Sequence, residues 1–224
     1  MAMMMKLAVA LTYVSLVMGM AVPPEQQAHR ETLAEAAVNT KKLVHRYTTG
    51  TMASVFPDTS DNAGRPFALM EYHAPCHPSP SLTFLLLPIS LSTSNILHTD
   101  HHYATYTVTT PPEGARTPMS QGRVAFMGNI TLLPDLSHAE SQALAKCYTQ
   151  YHPDARWWLP DTKGSPHVSI WARFDVDDIY YVGGFGDTHY IGHIPTDLYA
   201  RAGEKKIEQE DEASGLGEES QIVF

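Results

Sequence analysis

Histidine groups are the first feature of this chain that could do chemistry, because neutral imidazole is the commonest metal-ligating side chain. Five histidines form a close cluster of three and a pair spaced by four residues: His98, His101 and His102, then His189 and His193. A spacing of four points two ligands the same way on a helix, as in zinc proteases. Residues 185–195 read as strand or loop instead, and no glutamate follows His189 where such an enzyme needs one. The pattern favours polar loop histidines, and we predict no metal site.

A glycine-rich segment, Gly183-Gly184-Phe185-Gly186, resembles a phosphate-binding loop only superficially. Such a loop opens a helix, whereas residues 187–195 do not have a helical pattern. The chain also lacks a GxSxG motif and any strong Cys/His or paired-carboxylate arrangement. We therefore predict no catalytic residue from motifs.

Asn129-Ile130-Thr131 is an N-glycosylation sequon. Asn129 has the opposite strand parity to Val124, Phe126 and Ile130, so its side chain is expected to point outward. We predict a glycan at Asn129.

The N-terminus has the three parts of a secretory signal peptide. Residues 1–6 carry one positive charge, residues 7–18 form an uncharged apolar run, and residues 19–21 end with small residues at the two recognised positions. A transmembrane anchor is the alternative, but the run is too short to span about 30 Å of hydrocarbon. We predict a signal peptide over residues 1–21, cleavage before Val22, a secreted protein and no membrane partner.

Composition predicts a folded protein that does not bind nucleic acid. Apolar residues make up 43% and charged residues 17% of the 224-residue chain, and the formal net charge is -9. No basic stripe exists to release counterions from nucleic acid. Two cysteines remain, Cys76 in a proline-rich loop and Cys147 on a helix face. In an oxidising compartment they either form one disulfide or stay as buried thiols.

Hydrophobic periodicity predicts few helices and many short strands. The helices are a long one over residues 25–46, one opened by a capping box at Ser137, and a short turn over residues 90–97 capped by Ser92 or Thr93. The strands span residues 51–56, 66–72, 82–87, 102–109 and 122–131, and residues 168–176 and 179–182 form a closing hairpin about a turn at Asp177-Asp178. The strand over residues 82–87 is apolar on both faces, which indicates burial on both sides.

Parallel strands would each need a crossover helix, and too few helices are available. The sequence therefore predicts a mainly β fold with flanking helices, an antiparallel β-barrel. An acidic, apolar-poor tail over residues 201–224 is expected to be solvated and disordered.

Taken in order, these segments resemble the CREG-like family of secreted glycoproteins. The resemblance rests on TMASVFP, GRPFALMEY, LLLPISLSTSNILHTDHHYATYTV, GRVAFMGNIT and IYYVGGFGDTHYIGHIP, with the capped helix before the last of these. It covers roughly Leu33 to Tyr199, so we expect a CREG-like domain over residues 22–200. It implies the FMN-binding split barrel of pyridoxamine phosphate oxidase, a superfamily whose barrel binds flavin mononucleotide at a homodimer interface. A homodimer is expected here.

Ser92, Thr93, Ser94 and Asn95 are the candidate cofactor-binding residues that the resemblance implies. Flavin-binding relatives carry Arg or Lys in the second strand and in this serine-rich turn, to hold the flavin phosphate. The matching stretches here, residues 67–70 and 92–95, contain no cation. A charge-assisted contact is worth roughly 1.5–3 kcal/mol. Losing two weakens flavin binding by on the order of 10² to 10⁴, so we expect no cofactor or weakly bound FMN.

Three functional hypotheses follow. The first is a secreted, non-catalytic binding protein for an unknown protein or small-molecule ligand. The second is an FMN-dependent oxidoreductase of the pyridoxamine phosphate oxidase type, with residues 92–95 at the phosphate. The third is a haem-binding split barrel, suggested by the GGFG segment, in which His189 is the residue to examine.

Overall fold

A computed structural model of the chain describes residues 29–112, 114, 116–160 and 162–203. The predicted signal peptide and residues 204–224 of the predicted tail lie outside the described residues. The first residue of that predicted tail, Arg201, belongs to a helix.

Seven described strands form one antiparallel sheet: β1 Thr49–Val55, β2 Pro66–Tyr72, β3 Leu82–Leu86, β4 Tyr103–Thr109, β5 Arg123–Leu132, β6 Ile170–Val182 and β7 Ile191–His193. The strand order is β2-β1-β4-β5-β6-β3, and β7 pairs with β6. Ala74, just after β2, bridges to Thr83 of β3. The two ends of the sheet therefore approach each other, and the sheet curls into the predicted antiparallel split barrel.

The predicted closing hairpin is wrong, because residues 170–182 form one continuous strand, β6. Met127 pairs with Asp178 and Gly128 pairs with Val176, which leaves Asp177 as the extra residue of a β-bulge. The bulge moves the buried side chains from one parity to the other: Ala172, Phe174 and Val176 before it, Ile179 and Tyr181 after it. A methyl group on Gly128 would overlap the Asp175 carbonyl, so only glycine allows this close approach.

Four α-helices flank the sheet: α1 Leu33–Arg46, α2 Leu91–Leu97, α3 His138–Tyr151 and α4 Thr196–Arg201. The first helix begins later than predicted, at a capping box between Thr32 and Glu35. The cap predicted at Ser92 or Thr93 is also wrong, because the N-cap of α2 is Ser90. The capping box between Ser137 and Glu140 is confirmed.

The core has two parts, one inside the curled sheet and one outside it. The inner part contains Phe84, Tyr106, Phe126 and Phe174, and the apolar stripe of α1 closes it. The outer part packs α3 against the sheet through Tyr148, Leu85 and Trp171. All five residues of β3 are buried, which confirms the prediction of a strand covered on both faces.

Cys76 and Cys147 form a disulfide, the first of the two alternatives left open by the sequence. It joins the loop after β2 to α3, and their Cα atoms are 5.9 Å apart. Within the part of the chain that the structure describes, no helix has the length and apolarity to cross a bilayer.

Candidate functional site

The four residues predicted to hold a phosphate lie in α2, and three of them are almost fully buried. Ser92, Thr93 and Asn95 are at most 2% exposed, and Ser94 is half-buried. The Asn95 amide donates to the Ser54 hydroxyl of β1 at 3.3 Å. The Ser92 and Thr93 hydroxyls have no hydrogen-bond partner among the described residues. Ser94 is therefore the most accessible hydroxyl of the four.

An acid occupies the space between the two stretches predicted to need cations. Glu71 directly follows residues 67–70 of β2, and its carboxylate accepts a hydrogen bond from the Ser90 hydroxyl, the N-cap of α2, at 3.1 Å. Burial raises the pKa of Glu71, and the hydrogen bond from Ser90 opposes that change only in part. An acidic group, and no cation, therefore lies beside the turn at which a flavin phosphate would need a cation.

Glu71 also lines a cleft of about 420 Å³, which we call the β2 cleft. Apolar and aromatic side chains from β2, β3, α3 and the following loop form most of its wall: Met70, Leu85, Leu87, Tyr148 and Trp158. His167 adds an imidazole to this wall. Among the described residues that line the β2 cleft, none is a lysine or arginine. The cleft suits an apolar or planar ligand better than an anion.

The sequence did not predict this cleft, although one of its lining residues, Met70, belongs to the stretch 67–70 that was examined for a cation. Trp158 and His167 are far from Met70 in the chain, and neither belongs to a motif. The one available signal was Glu71 itself, an acid within β2 directly after residues 67–70, the stretch in which the resemblance implies a cation in flavin-binding proteins.

The five histidines that the sequence singled out do not line the β2 cleft, and several of them bond to other groups of the protein. His98 donates to the Ser94 carbonyl at 2.7 Å, and His193 donates to Asp178 at 2.8 Å. The ring of His189 lies 3.5 Å from the Glu31 carboxylate. No group of three or more potential metal-ligating side chains occurs among the residues that the structure describes.

Asn129 is half-buried on β5, on the face opposite the buried Ile130. In the sheet it lies between Tyr103 of β4 and Asp175 of β6. The threonine of the sequon, Thr131, donates its hydroxyl to Asp175 at 2.5 Å. Glycosylation at Asn129 stays a prediction.

Comparison with known families gives a match over most of the described chain. A family model described as "CREG, beta-barrel" matches residues 31–201. The comparison with curated proteins gave no match.

Solved structures share the fold at low sequence identity. A haem-binding protein from Mycobacterium smegmatis is 18% identical with a TM-score of 0.58, over 76% of this chain and 61% of that one. The haem storage protein HutZ from Vibrio cholerae is 13% identical with a TM-score of 0.51, over 66% of this chain and 96% of that one. The protein Atu2129 from Agrobacterium tumefaciens, of unknown function, is 18% identical with a TM-score of 0.51, over 68% and 59%. This chain thus spans less than two thirds of the mycobacterial protein, and these likenesses concern the fold.

Proposed function

Because the chain belongs to the CREG β-barrel family, we propose that it is a secreted split-barrel glycoprotein that binds a partner or small ligand without catalysing a reaction. Its flavin affinity is weak or absent. The ligand lies in the β2 cleft, whose wall is mostly apolar and aromatic.

The Glu71 carboxylate is the observation that supports this proposal. A flavin phosphate held by α2 would meet this partly buried acid, which already accepts the Ser90 hydroxyl at 3.1 Å. The negative charges of the Glu71 carboxylate and of a bound phosphate would repel each other, more strongly in a partly buried site than in water. The residues present therefore do not fit the phosphate of FMN.

We expect wild-type protein to bind FMN no more tightly than riboflavin, because the phosphate of FMN meets the Glu71 carboxylate and no cation. Glu71→Gln removes the negative charge and is expected to raise FMN affinity about tenfold, with riboflavin affinity unchanged. Flavin fluorescence titration measures both constants. Asp135→Asn, an exposed residue outside the cleft, makes the same charge change and is expected to alter neither. Wild-type protein that binds FMN 100-fold more tightly than riboflavin would contradict the proposal.

Haem binding is the second candidate, favoured by the imidazole of His167 in an otherwise apolar wall. Two of the structural relatives are a haem-binding protein and a haem storage protein. In this candidate the β2 cleft would hold the haem and His167, rather than His189, would supply the ligand. A Soret shift on adding haemin that disappears in His167→Ala would establish this candidate in place of the first.

Secretion, the glycan and the homodimer complete the proposal. Among the described strands, β2 lies at an edge of the sheet, and its apolar side chains Leu69 and Met70 are exposed. Such an edge and patch favour association with a second copy.

In secreting eukaryotic cells we expect the protein in the medium, with a gel mobility that increases after N-glycan removal. Asn129→Gln is expected to abolish that change, because Asn129 is the proposed acceptor. Light scattering of the secreted material measures its mass, which a dimer doubles. Retention in the cytosol, or an unchanged mobility, would contradict this part of the proposal.

A further inference from the structure

A second cleft, which we call the α1 cleft, lies between α1, the loop joining β4 to β5, and the end of β6. Its volume is about 540 Å³, and none of its lining residues lines the β2 cleft. Lys42 and Arg46 of α1 and Arg116 of the loop line it. In a chain with a net charge of -9, three cations at one cleft make a local site for an anion.

The carboxylate in this wall, Glu31, is hydrogen-bonded to other groups of the protein. It accepts hydrogen bonds from the Asn39 amide at 2.7 Å and the Tyr190 backbone N–H at 2.9 Å. The Tyr181 hydroxyl also bonds to it. The Glu31 side chain is only 8% exposed. Glu31 is therefore part of the hydrogen-bonded wall of the cleft.

Gln121 brings a hydrogen-bond donor that has no acceptor. It lines the α1 cleft and is 7% exposed, and its side-chain nitrogen has no partner among the described residues. A buried donor without an acceptor is unfavourable, so such groups in native proteins usually meet a ligand or water. An oxyanion beside Lys42 would accept from this amide.

We propose that the α1 cleft binds the phosphate or sulfate group of a small ester. A tetrahedral oxyanion offers three oxygens to ammonium, guanidinium and amide donors, whereas a carboxylate offers two. The volume lies in the range of small-molecule sites and exceeds the needs of an inorganic ion. Leu43 and Tyr47 in the wall provide contact for the organic part.

Calorimetric titration of the full-length protein with phenyl phosphate, phenyl sulfate and benzoate tests the proposal. We expect one or both esters to bind, with benzoate at least tenfold weaker, and the two esters identify which oxyanion is preferred. Lys42→Gln is expected to weaken ester binding about tenfold or more. Lys146→Gln on α3, an exposed lysine outside the cleft, makes the same charge change and is expected to have no effect.

Gln121→Met separates a ligand-binding role from a structural one. Methionine has a similar volume and no unpaired donor, so we expect an equal or higher melting temperature together with weaker ester binding. The proposal is overturned if neither ester binds, if benzoate binds as well as the esters, or if Lys42→Gln and Lys146→Gln have equal effects. It is also overturned if Gln121→Met binds like wild type.

Discussion

Replacing Cys76 and Cys147 together by alanine is expected to lower the free energy of unfolding by about 4 kcal/mol. The disulfide spans a sequence separation of 71 residues, so it removes much of the conformational freedom of the unfolded chain. It also ties the loop after β2 to α3, where Tyr148 packs against Leu85 and Trp171. Urea unfolding of oxidised wild type and of the double variant measures the difference.

Reduction supplies the control for this prediction. Wild-type protein in dithiothreitol is expected to unfold like the double variant, and the variant is expected not to respond to dithiothreitol. Tyr148 also lines the β2 cleft, so ligand binding there is expected to weaken in the variant. Equal stability of the oxidised wild type and the variant would show that α3 is held by its packing alone.

Strand alternation predicted the barrel because one-sided burial leaves a period of two in the sequence. The same rule failed at Asp177-Asp178, where polar residues and a change of parity indicated a turn. A bulge produces the same local pattern. The choice between them depends on Gly128, nearly 50 residues earlier, which allows the bulged strand to approach β5. No local reading of residues 168–182 contains that information.

The start of α1 carries the same capping signal in the sequence as the start of α3. The box at Thr32 and Glu35 has the same spacing as the one at Ser137 and Glu140, yet the long helix was predicted to begin at residue 25. A search for both boxes would have placed the start of α1 correctly.

The clefts depended on tertiary contacts that no motif records. Glu71 and Ser90 meet because β2 lies beside α2, and their contact places an acidic group where a flavin phosphate would need a cation. In the α1 cleft, Gln121 and Lys42 come from distant elements and carry no sequence signature. The family resemblance identified β2 and the serine-rich turn as the region to compare. The side-chain positions then showed an acid there in place of the expected cation.

His73 is the group for which we expect the largest effect of pH. It is fully buried, directly after β2, and bonds to the Val44 carbonyl at 3.1 Å and to the Tyr106 hydroxyl at 2.8 Å. Tyr106 donates in turn to the Glu71 carbonyl at 2.9 Å. A neutral His73 ring has one N–H and Tyr106 has one O–H, so two protons serve three hydrogen-bonded contacts. A protonated ring would supply the third proton.

Burial nevertheless outweighs this gain and lowers the pKa of His73 to about 3, with His152 and His45 adding repulsion. One carbonyl and one hydroxyl bond to the ring, and among the described residues no carboxylate bonds to it to offset the loss of water around a buried charge. The unfolded chain binds a proton near the usual histidine pKa of about 6.5. Between these two values the unfolded state holds a proton that the folded state lacks, so acid favours unfolding.

The contribution of His73 to stability is therefore complete above pH 6.5 and is lost as the pH falls towards 3. At 1.36 kcal/mol per pKa unit, the total loss is about 4–5 kcal/mol. Urea unfolding at several pH values measures the slope of the free energy of unfolding against pH. His73→Gln is expected to lower this slope by the equivalent of about one bound proton. His167→Gln, the same substitution at an exposed position, is the matched control. Equal slopes for wild type and His73→Gln would contradict this prediction. They would mean that hydrogen bonding keeps the buried ring protonated and outweighs the effect of burial on the pKa.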